Sequence, residues 1–283
     1  MKSNQPDALP AEFAAALSGA RLGRLASNII YFQTVGSTND VAAACVTSWS
    51  DAGERSRLEG LVIVADAQTA GRGRYGRVWE SPAGSGLYVS VLLTPAQAAE
   101  DPMRATMLVT LMAGVAIAEG IEATTGLRAG LKWPNDLLVG RRKLSGILSE
   151  AASVGGEAGA VRLDTVVVGF GINVSPAAFP RELSDRVTSI ESELGRAFDR
   201  ATVLAGTLAA LSARYEDLLA GRFDAILDAW RLRAPSATGA KVRWTTPDGE
   251  HHGVTAGIDD RGALRVRVGD RVERIVAGEL TWL

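Results

Sequence analysis

The chain has 283 residues, 47% of them apolar, and its 30 Lys plus Arg against 32 Asp plus Glu give a formal net charge of −2. That length and apolar content suffice for one large core and a small second one. The charge balance excludes a general attraction to nucleic acid or anionic lipid, and a single cysteine excludes an intrachain disulfide or a Cys-rich metal site.

Residues 1–28 read as a loosely ordered arm, because 1–11 are polar with two prolines and lack the apolar stretch of a signal peptide. Ser37 or Thr38 can cap a helix carrying Val41, Ala42, Ala44, Cys45 and Val46. Cys45 is expected there as a small buried apolar residue. Residues 51–59 are charged and read as a loop. Leu61–Ala65 and Gly86–Leu93 are continuous apolar runs of strand length. Asp101-Pro102 places a cap before a proline at the first helical position and opens a helix to about Thr125. Its uncharged run, Ala105–Ala118, is too short to span a bilayer and reads as a buried helix, so a cytoplasmic protein without membrane attachment is expected.

Short strands are predicted at Gly130–Trp133, Asp136–Val139, Lys143–Glu150 and Thr165–Asn173, then helices over about Arg200–Leu219 and Phe223–Leu232. The texture changes at Ala234-Pro235-Ser236. Beyond it, apolar and polar residues alternate, as in Leu264-Arg265-Val266-Arg267-Val268, with Gly/Asp turns at 248–249 and 269–270. The expected fold is therefore α+β. A mixed sheet with helices occupies 1–235, and a small SH3-like β-barrel occupies 236–283.

One segment stands out between the first two predicted strands. Residues 71–77, Gly-Arg-Gly-Arg-Tyr-Gly-Arg, combine backbone freedom with planar donor forks suited to carboxylate and phosphate. Gly71, Gly73 and Gly76 satisfy G-x-G-x-x-G, but a dinucleotide fingerprint needs a helix opening on the loop and an acid about twenty residues on. Here Trp79-Glu80-Ser81-Pro82 and a strand follow, and 91–99 holds no acid. An RG-type RNA-binding tract would repeat over a longer stretch, whereas this one occurs once.

Together with Ser37-Thr38-Asn39 upstream, and with Lys132-Trp133-Pro134-Asn135-Asp136 and Lys143-Leu144-Ser145-Gly146-Ile147-Leu148 downstream, the loop resembles the biotin protein ligases. The resemblance covers roughly residues 30–283. It implies formation of biotinyl-5′-AMP from biotin and ATP with Mg²⁺, then transfer to a lysine of the biotin carboxyl carrier domain of an acyl-CoA carboxylase. Ser37, Thr38, Asn39 and Gln68 match residues that line the biotin pocket. Arg72, Gly73 and Arg74 match those closing over the biotinyl chain and phosphate. Lys143 matches the lysine contacting the biotin carboxylate and α-phosphate. Trp79 and Asn173 fall near the adenine, and the segment holding Lys132 and Asn135 near magnesium-dependent ATP binding.

The residues themselves add to this. Arg72, Arg74 and Arg77 can supply a preorganised positive field for a transition state that gains charge, and Gly146 can expose backbone donors to a ligand. Asp136 is the one carboxylate in these cationic motifs that looks free, and is expected to orient or deprotonate the incoming lysine amine. Ser37-Thr38 also reads as a plain helix cap, Asn135-Asp136 as turn chemistry, and Lys143 beside Arg141 and Arg142 as a hairpin-tip cluster. His251 and His252, the two histidines, read as a solvated turn rather than ligands, and Asp259-Asp260 as another turn, so no resident metal site is expected. Lipoate or octanoate ligases and transferases of the same fold, and an RNA-binding module, are the alternatives. The 1–28 arm is Ala-rich without a basic recognition helix, so neither repressor activity nor DNA binding is expected. Homodimers are common in such ligases.

Overall fold

A computed structural model describes residues 5–26, 28–48, 58–155, 161–246, 249–278 and 280–283. Seven strands form the main sheet: β1 (Ile29–Val35), β2 (Val62–Gln68), β3 (Gly86–Leu93), β4 (Gly130–Lys132), β5 (Asp136–Val139), β6 (Arg142–Gly155) and β7 (Val161–Asn173). Their spatial order is β1-β2-β3-β7-β6-β5-β4. β1 and β2 are parallel, and every other pair is antiparallel. All eight residues of β3 are buried, as a central strand covered on both faces requires.

The two-residue period of the strands sorts their side chains between two cores. Val62 and Val64 of β2, with Leu87, Val89, Val91 and Leu93 of β3, join the large core. That core is filled by α3 (Pro102–Thr125), α5 (Arg200–Leu219) and α6 (Phe223–Arg233). Ile63, Ala65 and Leu92 face the other way, against Ala42 and Val46 of α2 (Thr38–Ser48). The same alternation turns Ser90 toward α2, which bears directly on the site. α3 follows its sequence signals closely. Asp101 accepts from the Arg104 amide, Pro102 opens the helix, and Gly126 closes it at φ 78°. It is long and apolar enough to cross a membrane, but Ala105, Leu108, Met112 and Ile117 are among its many buried core residues.

A second, wholly antiparallel sheet comprises β8 (Thr238–Thr246), β9 (Gly249–Ile258), β10 (Leu264–Val268), β11 (Arg271–Ile275) and β12 (Leu280–Trp282). Its order is β11-β10-β9-β8-β12. The β9–β10 turn docks on the main body, where Trp133 Nε1 donates to the Gly262 carbonyl at 3.0 Å and Arg104 Nε to that of Asp260 at 2.8 Å.

Several expectations change. Within the 1–28 arm, α1 (Ala11–Ser18) is a helix whose Phe13 and Leu17, one turn apart, are buried, as are Leu22 and Leu25. β1 and the short α4 (Ile190–Leu194) add to the expected elements, and the β6–β7 hairpin runs beyond the expected strands. His251 and His252 lie within β9, not in a turn, and His251 stacks on Trp244 at 5.5 Å. Cys45 is half-buried rather than enclosed. The 51–59 loop falls largely outside the described residues, as does residue 248 of the 248–249 turn.

Asp199 caps α5 by accepting from the amides of Ala201 and Thr202. The Thr202 hydroxyl above all holds its carboxyl below the usual range, and with the two amides it outweighs the opposing effect of burial. Asp199→Ala is expected to cost about 1 kcal/mol in urea unfolding at neutral pH. Because the folded-state pKa is depressed, the stabilisation is full above the unfolded value and fades as pH falls through the folded one. The difference between the two proteins should therefore vanish in acid.

Candidate functional site

A cleft of about 810 Å³ opens on the α2 face of the main sheet. Every site residue singled out in the sequence lines it: Ser37, Thr38, Asn39, Gln68, Arg72, Gly73, Arg74, Arg77, Trp79, Lys132, Asn135, Asp136, Lys143, Gly146 and Asn173. Its volume suits a small-molecule site.

One end is lined mainly by hydroxyls and amides. The Thr38 amide and hydroxyl donate to Gln68 Oε1 at 2.9 and 3.2 Å, and Gln68 Nε2 donates to Ser81 Oγ at 2.9 Å. Ser90 Oγ lies 2.7 Å from Thr38 Oγ1 and 2.6 Å from Asn39 Oδ1. Ser37, Thr38, Asn39 and Ser90 are all buried. Buried hydroxyls and amides locked by one another form a rigid set of donors and acceptors for a neutral polar group. The Thr38 amide at the head of α2 is thus satisfied by Gln68 Oε1 across the pocket.

The other end is cationic. Lys143 Nζ pairs with Asp136 Oδ1 at 2.6 Å and lies 5.4 Å from the centre of the Trp79 ring. Asp136 is thus not free, as the sequence suggested, because the two-strand register sets it opposite Gly146, beside the Lys143 stem. Arg74 donates to Asn135 Oδ1 at 3.3 Å and to the Tyr75 hydroxyl at 3.0 Å, and Asn135 Nδ2 donates to the Ile147 carbonyl at 2.6 Å. Asn173 Nδ2 donates to the Thr188 carbonyl at 3.0 Å. Lys132 lies 4.7 Å from the Trp282 ring. Burial lowers the pKa of its ammonium, as do Lys143 and Arg77, while Asp136 partly offsets them. An anion in the cleft would reverse that shift.

The arginine loop folds back on itself rather than opening a helix. Gly73 N–H donates to the Arg77 carbonyl at 2.7 Å and Trp79 N–H to that of Gly71 at 2.9 Å. Tyr75 occupies left-handed backbone space at φ 58°, a strained conformation worth about 1–2 kcal/mol for a non-glycine residue. The loop lays Trp79 on the sheet over Gly171 and Gly146. A Cβ at Gly171 would collide with the indole, and one at Gly169 with the Asn39 amide. Trp79 Nε1 is buried and has no hydrogen-bond partner among the described residues.

Sequence reasoning missed Ser90, Glu150 and the wall supplied by the second sheet. Ser90 was legible as the polar residue in an otherwise apolar central strand. Trp282 and the 183–187 segment that also line the cleft had no local signal, because only tertiary contact brings them there.

Residues 31–173 match the model of the biotin/lipoate A/B protein ligase family, and residues 239–280 that of the biotin protein ligase C terminal domain. The chain belongs to the biotin/lipoate A/B protein ligase family. Its relatives put it on the biotin side of that family. It is 34% identical over 264 residues to the bifunctional ligase/repressor BirA of Bacillus subtilis, covering 93% of this chain and 76% of the relative. It is also 34% identical over 253 residues to the biotin–[acetyl-CoA-carboxylase] ligase of Mycobacterium tuberculosis, covering 88% and 86%. The solved biotin protein ligase from Aquifex aeolicus, in complex with biotin and ATP, superposes with a TM-score of 0.73 at 29% identity, covering 91% of this chain and 99% of that one.

The glycine floor gives a direct test. Gly171→Ala must displace the Trp79 indole and is expected to cost about 1–3 kcal/mol in urea unfolding. Gly146→Ala meets Trp79 at 3.1 Å and the mobile end of Lys143 at 3.0 Å, and should cost distinctly less.

Proposed function

We propose that the chain is an ATP-dependent biotin protein ligase that modifies a lysine on the biotin carboxyl carrier domain of an acyl-CoA carboxylase. The observation that carries this reading is the two-ended cleft. A locked, neutral polar end suits a ureido ring, and a Lys/Arg-rich end suits a carboxylate meeting a phosphate, in a chain of this family. A lipoyl or octanoyl chain has no ureido group to match the fixed polar Thr38–Asn39–Ser90 set, which favours biotin over those alternatives.

In the first step a biotin carboxylate oxygen attacks the α-phosphorus of MgATP. The new P–O bond forms as the bond to the α,β-bridging oxygen breaks, and pyrophosphate leaves with that electron pair. Lys143 and Arg74 stand where charge develops, and no enzyme nucleophile is required. Arg77, Lys132 and Asn135 hold the nucleotide, with Trp79 and Asn173 toward its base. Magnesium would arrive on the ATP phosphates, whose charge the cationic end of the cleft would share. In the second step the carrier's neutral ε-amine attacks the acyl carbon and AMP leaves. Asp136 orients that amine and accepts its proton once Lys143 has turned to phosphate.

The remaining parts of the proposal are a catalytic unit to residue 235 with an SH3-like unit over 236–283, a homodimer, cytoplasmic residence, and no nucleic-acid partner. The net charge of −2 supports the last of these.

Biotin-dependent exchange of pyrophosphate into ATP tests the reading, and exchange driven by lipoate instead would refute it. Lys143→Met is expected to slow adenylate formation by about 10²–10³. Asp136→Asn should slow transfer to the carrier more than adenylation. Equal loss in both steps would leave Asp136 as an anchor for Lys143 alone.

A further inference from the structure

Arg72 is held by carboxylates, where Arg74 is held by an amide and a phenol. Its guanidinium forms a bidentate pair with Glu150, Nη1 donating to Oε1 at 3.0 Å and Nη2 to Oε2 at 2.7 Å. Nη2 also lies 2.8 Å from Asp40 Oδ1. Asn39 Nδ2 donates to the same Glu150 Oε2 at 2.7 Å, and to the Leu148 carbonyl at 3.3 Å. With Ser90 on its oxygen, the Asn39 amide has one orientation, nitrogen toward Glu150 and oxygen toward Ser90. Asn39 is 5% exposed, so its amide is satisfied by these protein partners rather than by solvent.

One carboxylate on β6 therefore grips two elements distant in sequence, the first arginine of the loop and the amide at the head of α2. Glu150 does not line the cleft. We propose that Glu150 is a positioning residue for biotin capture, which sets the root of the arginine loop and the biotin-facing amide by a single anchor. This rests on the ligase reading above. The Arg72 and Glu150 side chains keep 40% and 35% of their exposure, so the pair contributes little to folding. Its bidentate geometry instead fixes direction. Removing it loosens the polar end of the cleft and leaves the ATP end, held by Lys143, Arg74 and Asn135, as it was.

The experiment is biotin-dependent ATP–pyrophosphate exchange on the full chain, titrating biotin and ATP separately. Glu150→Gln keeps size and hydrogen-bonding capacity while removing the charge. It is expected to raise KM for biotin about tenfold and leave KM for ATP within about twofold, with Tm within about 2 °C. Glu150→Asp, which retains charge on a shorter stem, should fall between it and the unaltered chain. In an Arg72→Lys background, Glu150→Gln should raise KM for biotin by less than it does alone, because the two residues act as a unit. Equal rises in both KM values, a fall in kcat alone, or strictly independent effects of the two substitutions would overturn the assignment. Absence of exchange in the unaltered chain would contradict the ligase reading and not the role of Glu150.

Discussion

A carboxylate and a phosphate brought to bonding distance repel each other. At about 4 Å, two unit charges in a surroundings of effective dielectric 20 oppose one another by about 4 kcal/mol. The cleft is arranged around that constraint. Its cations converge from β4, β6 and the 71–77 loop, and three of them already have internal partners: Asp136 in ion-pair contact with Lys143, Asn135 and Tyr75 for Arg74, Glu150 and Asp40 for Arg72. Ligand binding is then an exchange of partners rather than capture by bare charges. Such an exchange loses less to desolvation than withdrawing unpaired ions from water.

The glycines serve the same end by a different route. Gly169 and Gly171 on β7, and Gly146 on β6, leave a floor without side chains, on which the Asn39 amide and the Trp79 indole come to rest. The loop thereby carries cations and an aromatic face into one space, while the head of α2 holds the opposite end rigid. The second sheet closes a further wall through Trp282 against Lys132. That contact links β12 to the half-buried Lys132 ammonium.

Much of this was legible in the residues. Strands such as Gly86–Leu93 and the helix after Asp101-Pro102 carry strong local signals of apolar run length and cap chemistry, and the structure forms them. The charged and glycine-rich motifs were also readable, because their compositions have few structural uses. What was not readable depended on tertiary packing. The Ala-rich arm holding α1 reads as loose, yet Phe13 finds Tyr31 at 6.2 Å and is buried. His251 and His252 sit at an apparent turn, yet the β8–β9 ladder extends through them. Asp136 seemed free only because sequence does not reveal which side chain a neighbouring strand places opposite it, and Glu150 gave no sign that it faces Arg72 across the fold.

The central claim is that these cations leave their internal acceptors for the reacting anions. A crystal structure of the chain with biotinyl-5′-AMP bound tests it most directly. Lys143 Nζ should then have left Asp136, and the Arg74 guanidinium Asn135, each to lie within hydrogen-bond distance of the phosphate or acyl oxygens. If both remain on their present partners while the adenylate occupies the cleft, the positive charge does not act on the reaction and the account is wrong.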